Sequence, residues 1–113
     1  MFEISKQIKD FFTSLTEFTS VCANRISPIY AMADTVYPFA TYRINEQNSQ
    51  SKDGANFTVS VSFWFKPEKY DEVCQLLDAM KPLVDDQFDW QNSTIDFIEE
   101  NQSFAGIINF NTF

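Results

Sequence analysis

The side chains that could do chemistry are few, and their spacing does not suit it. The chain has no histidine, which removes the usual general base, the Ser-His-Asp arrangement and most zinc sites. Its two cysteines, Cys22 and Cys74, would need another activator to become nucleophiles. Cys74 falls on the apolar face of a helical pattern and Cys22 follows another, so both read as small buried hydrophobes in a reducing compartment. A disulfide framework in so small a chain needs more cysteines. Asp85, Asp86 and Asp89 cluster, but a calcium loop sets acids at alternate positions, then a glycine and a distant glutamate. The run DDQFD lacks that order and reads as a solvated turn. Glu99 and Glu100 are neighbours, so on any strand they point to opposite faces and cannot act as a pair. Ser51-Lys52-Asp53-Gly54 is far from a phosphate loop. No catalytic, cofactor-binding or metal-ligating set is expected, and no enzyme. The chain is expected to work by binding itself or another protein.

Charge is unevenly placed. Residues 1–67 hold six acids and six bases, residues 68–100 hold ten acids against Lys69 and Lys81, and residues 101–113 hold none, so the stretch 68–100 carries the whole net charge of -8. Such a surface cannot bind phosphates, because duplex affinity rests on Lys and Arg, and no sequence-specific nucleic-acid binding is expected. Three readings of it stand: a solvated face that keeps the protein soluble, a wall that repels DNA, or a surface for a basic partner. Aromatics make up 17% of the chain, and 13 of them are Phe. They either fill core positions that leucine fills elsewhere or lie on a surface that another chain covers.

One domain accommodates 113 residues, enough to bury a core without disulfides or metals. The N-terminal MFEISKQIKDFF shows no basic region leading into an apolar run, so no signal peptide is expected. No stretch approaches the roughly 18 apolar residues of a membrane span. A cytoplasmic setting is expected.

The elements that must position any working surface follow from periodicity. Ile4, Ile8, Phe11, Phe12 and Leu15 recur at helical spacing, and Phe18 and Val21 continue the pattern. Ile26 to Tyr30 is a short extended piece, because Pro28 pushes Ser27 out of the helical region. Pro38 to Asn45 reads as a strand, with Phe39, Thr41 and Arg43 on one side and Ala40, Tyr42 and Ile44 on the other. Gln47 to Asn56 is polar apart from Ala55 and reads as a long mobile loop turning at Asp53-Gly54. Phe57 to Lys66 alternates strictly: Phe57, Val59, Val61, Phe63 and Phe65 against Thr58, Ser60, Ser62, Trp64 and Lys66, a half-buried strand. Pro67 ends it. Glu68 to about Met80 is a helix, with Tyr70, Val73, Cys74, Leu77 and Met80 as its stripe and Pro82 ending or kinking it. Phe88 to Trp90 is an extended or turn segment, and Thr94 to Glu99 and Phe104 to Phe113 close the chain as strands. The fold class is α+β: a mostly antiparallel sheet of about four strands with two helices on one face.

Several of these residues also form a pattern met elsewhere. Asn24-Arg25-Ile26 is followed by Pro28 and Tyr30, and Tyr37-Pro38-Phe39 leads to Tyr42-Arg43. Ser51-Lys52-Asp53-Gly54, the strand Val59 to Trp64, Tyr70-Asp71-Glu72, the acidic Asp96 to Glu100 and the alternating Phe104 to Phe110 come after. Together they cover nearly the whole chain and resemble a family of small tailed-phage and prophage proteins, the tail-completion group (tail terminator, head-to-tail joining), a domain long without an assigned function. The motifs are hydrophobic alternation and turn residues rather than a unique signature, and the high Phe and Asn content departs from the family's usual composition. The resemblance implies a hexameric ring that caps the tail tube, docks it to the head connector and leaves a channel for DNA. It implies a protein of the bacterial cytoplasm during assembly and of the virion afterwards. Alternatives are another neck or head-completion adaptor, or a small acidic inhibitor that mimics nucleic acid and binds a basic protein. The candidate subunit interface comprises Tyr42, Arg43, Trp64 and Lys66, because Trp64 stands on the polar face of the best strand. The candidate assembly loop comprises Ser49, Ser51, Lys52, Asp53 and Gly54.

Overall fold

Phe57 to Phe65 alternates because it is the middle of a sheet that the described helices cover on one side. The computed structural model describes residues 2–22, 25–28, 37–51, 54–99 and 102–112, with 2–3, 45–51 and 54–56 described by backbone alone. In chain order the elements are α1 (Phe2–Thr13), α2 (Thr16–Cys22), β1 (Ile26–Pro28), β2 (Phe39–Ser51), β3 (Gly54–Phe65), α3 (Tyr70–Gln87), β4 (Asp89–Ile98) and β5 (Ser103–Asn111). The strands form one sheet in the order β1-β2-β3-β5-β4. All neighbours are antiparallel except β1 and β2. This is the expected α+β class, with β1 as a short fifth strand and the N-terminal helical stretch divided in two.

The division falls at Ser14 and Leu15. The hydroxyls of Thr13 and Ser14 donate to the carbonyls of Lys9 (2.8 Å) and Phe11 (2.6 Å), which competes with continued backbone pairing. The chain turns there, so that Phe12 and Phe18 both reach the sheet. Their rings meet Phe63 at 6.1 and 6.0 Å. Phe12 also approaches Phe110, and Phe110 packs on Phe88 at 4.8 Å. Phe12, Phe18, Phe63, Phe65, Phe88 and Phe110 are all buried. Six of the eleven Phe whose side chains are described are therefore core, each ring contributing roughly 1.5–3 kcal/mol by leaving water.

The last helix runs longer than its sequence suggests. α3 continues through Pro82 to Gln87. Pro82 is exposed, so water can serve the carbonyl that its ring leaves without a partner. Met80 and Val84, one turn apart, are fully buried on the sheet and hold both halves of the helix in place. Tyr70, expected on the buried stripe, is instead half exposed, and Leu76 takes its place in the core. The segments expected at 88–90 and 94–99 form one strand, interrupted by a register shift between Trp90 and Asn92. Cys22 is buried as expected, and burial pushes its thiol up to about 12 against a smaller opposing pull from Arg25. Cys74 is half-buried beside Tyr70, whose phenol it holds above the ordinary range through its charge and a hydrogen bond.

α3 lies close on β5 because residue 106 has no side chain. A Cβ there would come within 2.7 Å of Val73 Cγ1 and 3.3 Å of Leu77 Cδ2. The valine is short and stiff, so helix and strand would have to part. Gly106→Ala is expected to destabilise the protein by about 1–3 kcal/mol in chemical denaturation. An unchanged midpoint would show that α3 does not rest on β5 in this way.

Candidate interaction surface

Register decides which side chains share the face that the helices leave open. Phe39 is the partner of Trp64, Thr41 of Ser62 and Arg43 of Ser60 on one side of β3, while Trp64 faces Ala105, Ser62 faces Ile107 and Ser60 faces Asn109 on the other. β4 adds Asp96, Thr94 and Asn92 to these rows. The open face thus has three rows of different chemistry. The first is aromatic: Phe39 stacks on Trp64 at 6.2 Å and 18°, and Tyr37 packs on Phe39 at 5.1 Å. The second is mixed, Thr41-Ser62-Ile107-Thr94. The third is polar: Ser60 Oγ bonds to Asn109 Oδ1, and Asn109 Nδ2 donates to Asn92 Oδ1 at 2.8 Å. Thr58 Oγ1 donates to Asn111 Oδ1 at 3.1 Å beyond it. Cross-strand pairs of this kind hold register and orient the side chains.

Trp64 stands on the open face as its parity requires, but solvent is not its only neighbour. Its Nε1 donates to Thr41 Oγ1 at 3.0 Å, and the ring is half-buried against Phe39. Arg43 lies on the same face and is exposed, and Lys66 is exposed just past the end of β3. Tyr42 does not join them. Its partner is Val61, on the helix-covered side. It is buried, and its hydroxyl meets Ser5 Oγ at 2.7 Å. Phe39 and Tyr42 lie on opposite sides of β2 as expected, but it is Phe39 that joins Trp64, because Ala40 pairs with Phe63 and that residue fixes the inward parity. Sequence reasoning missed Phe39 and Tyr37. The adjacent aromatics at 37 and 39 were the available signal.

The expected long loop over 47–56 is mostly strand. β2 continues to Ser51 and β3 starts at Gly54, with a register shift between Asn48 and Ser51. Ser49, Ser51 and Gly54 are therefore strand residues, while Lys52 and Asp53 lie outside the described residues. β5 accompanies β3 only as far as Thr58, and Thr112 then clasps Phe57 through two hydrogen bonds of 3.0 and 2.9 Å. β1 accompanies β2 only over Ala40–Tyr42. Past these points the hairpin is a two-stranded ribbon among the described residues, and it lengthens the molecule to 47 Å against 27 and 23 Å in the other directions.

Among the described residues no group of His, Cys, Asp and Glu is arranged to hold a metal ion, and no helix is long and apolar enough to cross a membrane. Neither a family model nor a curated protein matches the chain. Among solved structures, it is similar to a chain in the virion of a native gene transfer agent particle, with a TM-score of 0.65 and 6% identity over 92% of this chain and 88% of that one. At that identity the likeness shows a shared fold.

Two expectations follow. Tyr42→Phe is expected to cost about 0.5–1.5 kcal/mol in denaturation, the worth of its bond to Ser5, and to leave any self-association unchanged. A change in association instead would place Tyr42 on the contact surface. In hydrogen exchange, amides of Val59–Trp64, held between two strands, are expected to outlast those of Glu46–Asn48, since an isolated two-stranded ribbon is marginal in water. Equal protection would mean that a further element covers the ribbon.

Proposed function

We propose that the chain is a structural subunit of a phage-type particle, and within it a tail-completion subunit: copies form a ring that ends the tail tube and joins it to the head connector. The observation that carries this reading is the fold shared over 92% of the chain with a component of a gene transfer agent virion. The sequence resemblance to tail-completion proteins narrows it. Geometry supports it in two ways. The open sheet face offers an aromatic seam of Tyr37, Phe39 and Trp64 beside the exposed Arg43. The ribbon of β2 and β3, which carries Ser49, Ser51 and Gly54, is a second and different patch. Two unlike patches on one subunit are what a closed head-to-tail ring needs, and on this reading the ribbon reaches the neighbouring copy. No cofactor or catalytic step enters.

A second reading, an acidic inhibitor of a basic protein, is favoured by the excess acid of residues 68–100, where Lys69–Glu72 at 3.7 Å is the one ion pair among the described residues. The two readings separate in sedimentation. On the ring reading the protein assembles as concentration rises, and Trp64→Ser weakens assembly about thirtyfold, corresponding to the ~2 kcal/mol of a central interface aromatic, while the monomer stays folded. Equal oligomer size for parent and variant over a wide concentration range removes Trp64 from the interface. A parent that stays monomeric throughout, yet binds a basic protein with steep salt dependence, moves the assignment to the inhibitor.

A further inference from the structure

β4 is an outermost strand, and among the described residues nothing pairs with its far side. Proteins usually blunt such an edge with proline, lysine, shortness or a bulge. β4 has one register shift, between Trp90 and Asn92, and then runs without interruption from Asn92 to Ile98, with neither proline nor lysine in it. α3 reaches β4 as well as β5. Val73 and Leu77 settle onto Gly106 of β5, and beside them a groove remains between α3 and β4. The groove is lined by Tyr70, Cys74, Leu77, Asp78, Ser93, Thr94 and Ile95. At its open end are the two large apolar side chains left most bare, Tyr70 at 50% and Phe97 at 47% exposed. Both stand edge-on to Phe104, at 5.3 and 5.2 Å.

The rim of the groove is acidic. Asp78 lines it, and Asp71 and Asp85 lie two helical turns to either side, on the same line of α3. The one ion pair nearby, Lys69–Glu72, is exposed and compensates little. The groove therefore offers Leu77 and Ile95 as apolar patches in a lining otherwise largely polar, is anionic along one wall, and is bounded on the other by a strand edge with backbone groups to offer.

We propose that this edge and groove receive an extended basic segment of another protein, added as a sixth strand against β4. Strand addition supplies backbone hydrogen bonds, and alternate side chains of the added strand enter the groove. Arginine or lysine suits those positions, laying an apolar stem on Ile95 and Leu77 while its charged head reaches Asp78. An aromatic residue suits the end beside Phe97 and Tyr70. A second copy of this chain suits them less. Its other edge without a partner strand among the described residues, Arg43 to Ser51 of β2, carries Arg43 and Glu46 and so brings no excess positive charge. The site stands independently of the ring: a failure to form rings is read on the parent alone and leaves the peptide test unaffected.

The test uses the full chain and a synthetic nonapeptide with arginine and phenylalanine at alternate positions and threonine between them. A control peptide has glutamate in place of arginine. Peptide binding is expected to raise hydrogen-exchange protection at Asn92–Ile98, to weaken at least about tenfold between about 50 and about 300 mM salt, and to weaken at least about tenfold in the exposed triple variant D71N/D78N/D85N. Phe97→Ser gives an independent loss at the other end of the groove, and unfolding midpoints confirm that both variants are folded. Any one of four results overturns the proposal. These are no binding at millimolar peptide, equal binding of the glutamate peptide or of the triple variant, protection gained on an element other than β4, and a β4 edge already protected by self-association without peptide.

Discussion

Phe63 pointing inward is the constraint on which the rest of this structure depends. It sits near the C-terminal end of β3, the central strand, fully buried against Phe12 and Phe18. Side chains alternate with a period of two, so a slip of one residue would turn every side chain of the strand to the wrong face. With Phe63 inside, Val59, Val61 and Phe65 are inside as well, and Ser60, Ser62 and Trp64 must face outward. Pairing then passes the choice to the neighbours. Ala40 and Tyr42 follow Phe63 and Val61 inward on one side, and Gly106 and Ile108 do so on the other. The aromatic seam of Phe39 and Trp64 is the mirror of this choice on the open face.

The two layers meet different needs. The helix side is almost entirely apolar, and a polar contact it makes with the sheet among the described residues, Tyr42 to Ser5, is satisfied. The open side is held by side-chain hydrogen bonds between strands, from Asn92 through Asn109 to Ser60 and from Asn111 to Thr58. Short polar side chains that bond one another lie flat and leave the sheet approachable. The acids are kept away from this ladder: Asp71, Asp78 and Asp85 lie on α3, and among the described residues of β4, Asp96 alone stands on the open face beyond its register shift. One molecule therefore presents a neutral face with an aromatic row and, around an edge, an anionic groove.

Much of this was legible from the sequence, and what was not has identifiable physical causes. β3 and β5 announce themselves through alternation because each has one face in the core. Trp64 could be assigned to the open face by parity alone. Tyr42 could not be assigned, because β2 has aromatics on both parities, Phe39 against Tyr42, and only pairing to β3 breaks the tie. The ribbon was read as a loop because its residues are polar on both sides, so burial leaves no period to detect; its strands are defined by backbone pairing. Pro82 suggests an end or a kink in the helix, because its local effect is unfavourable. It is outweighed by Met80 and Val84, whose burial draws on a sheet distant in sequence. The split of α1 from α2 at Ser14 and Leu15 is concealed by an apolar pattern that runs on without a break.

The same reasoning explains how a fold can persist at 6% identity with a virion chain. What the architecture demands is period-two apolarity on β3 and β5, a stripe on each helix, and a small residue where α3 meets β5. Many sequences meet those demands. None of them dictates the side chains of the open face, the ribbon or the β4 edge. On the function proposed above, contacts are therefore made by the outward parity, where Trp64, Phe39 and Arg43 stand, and by the edges of the sheet. A change such as Gly106→Ala acts on the scaffold and a change such as Trp64→Ser on the surface. The alternation set by Phe63 keeps the two kinds of effect apart.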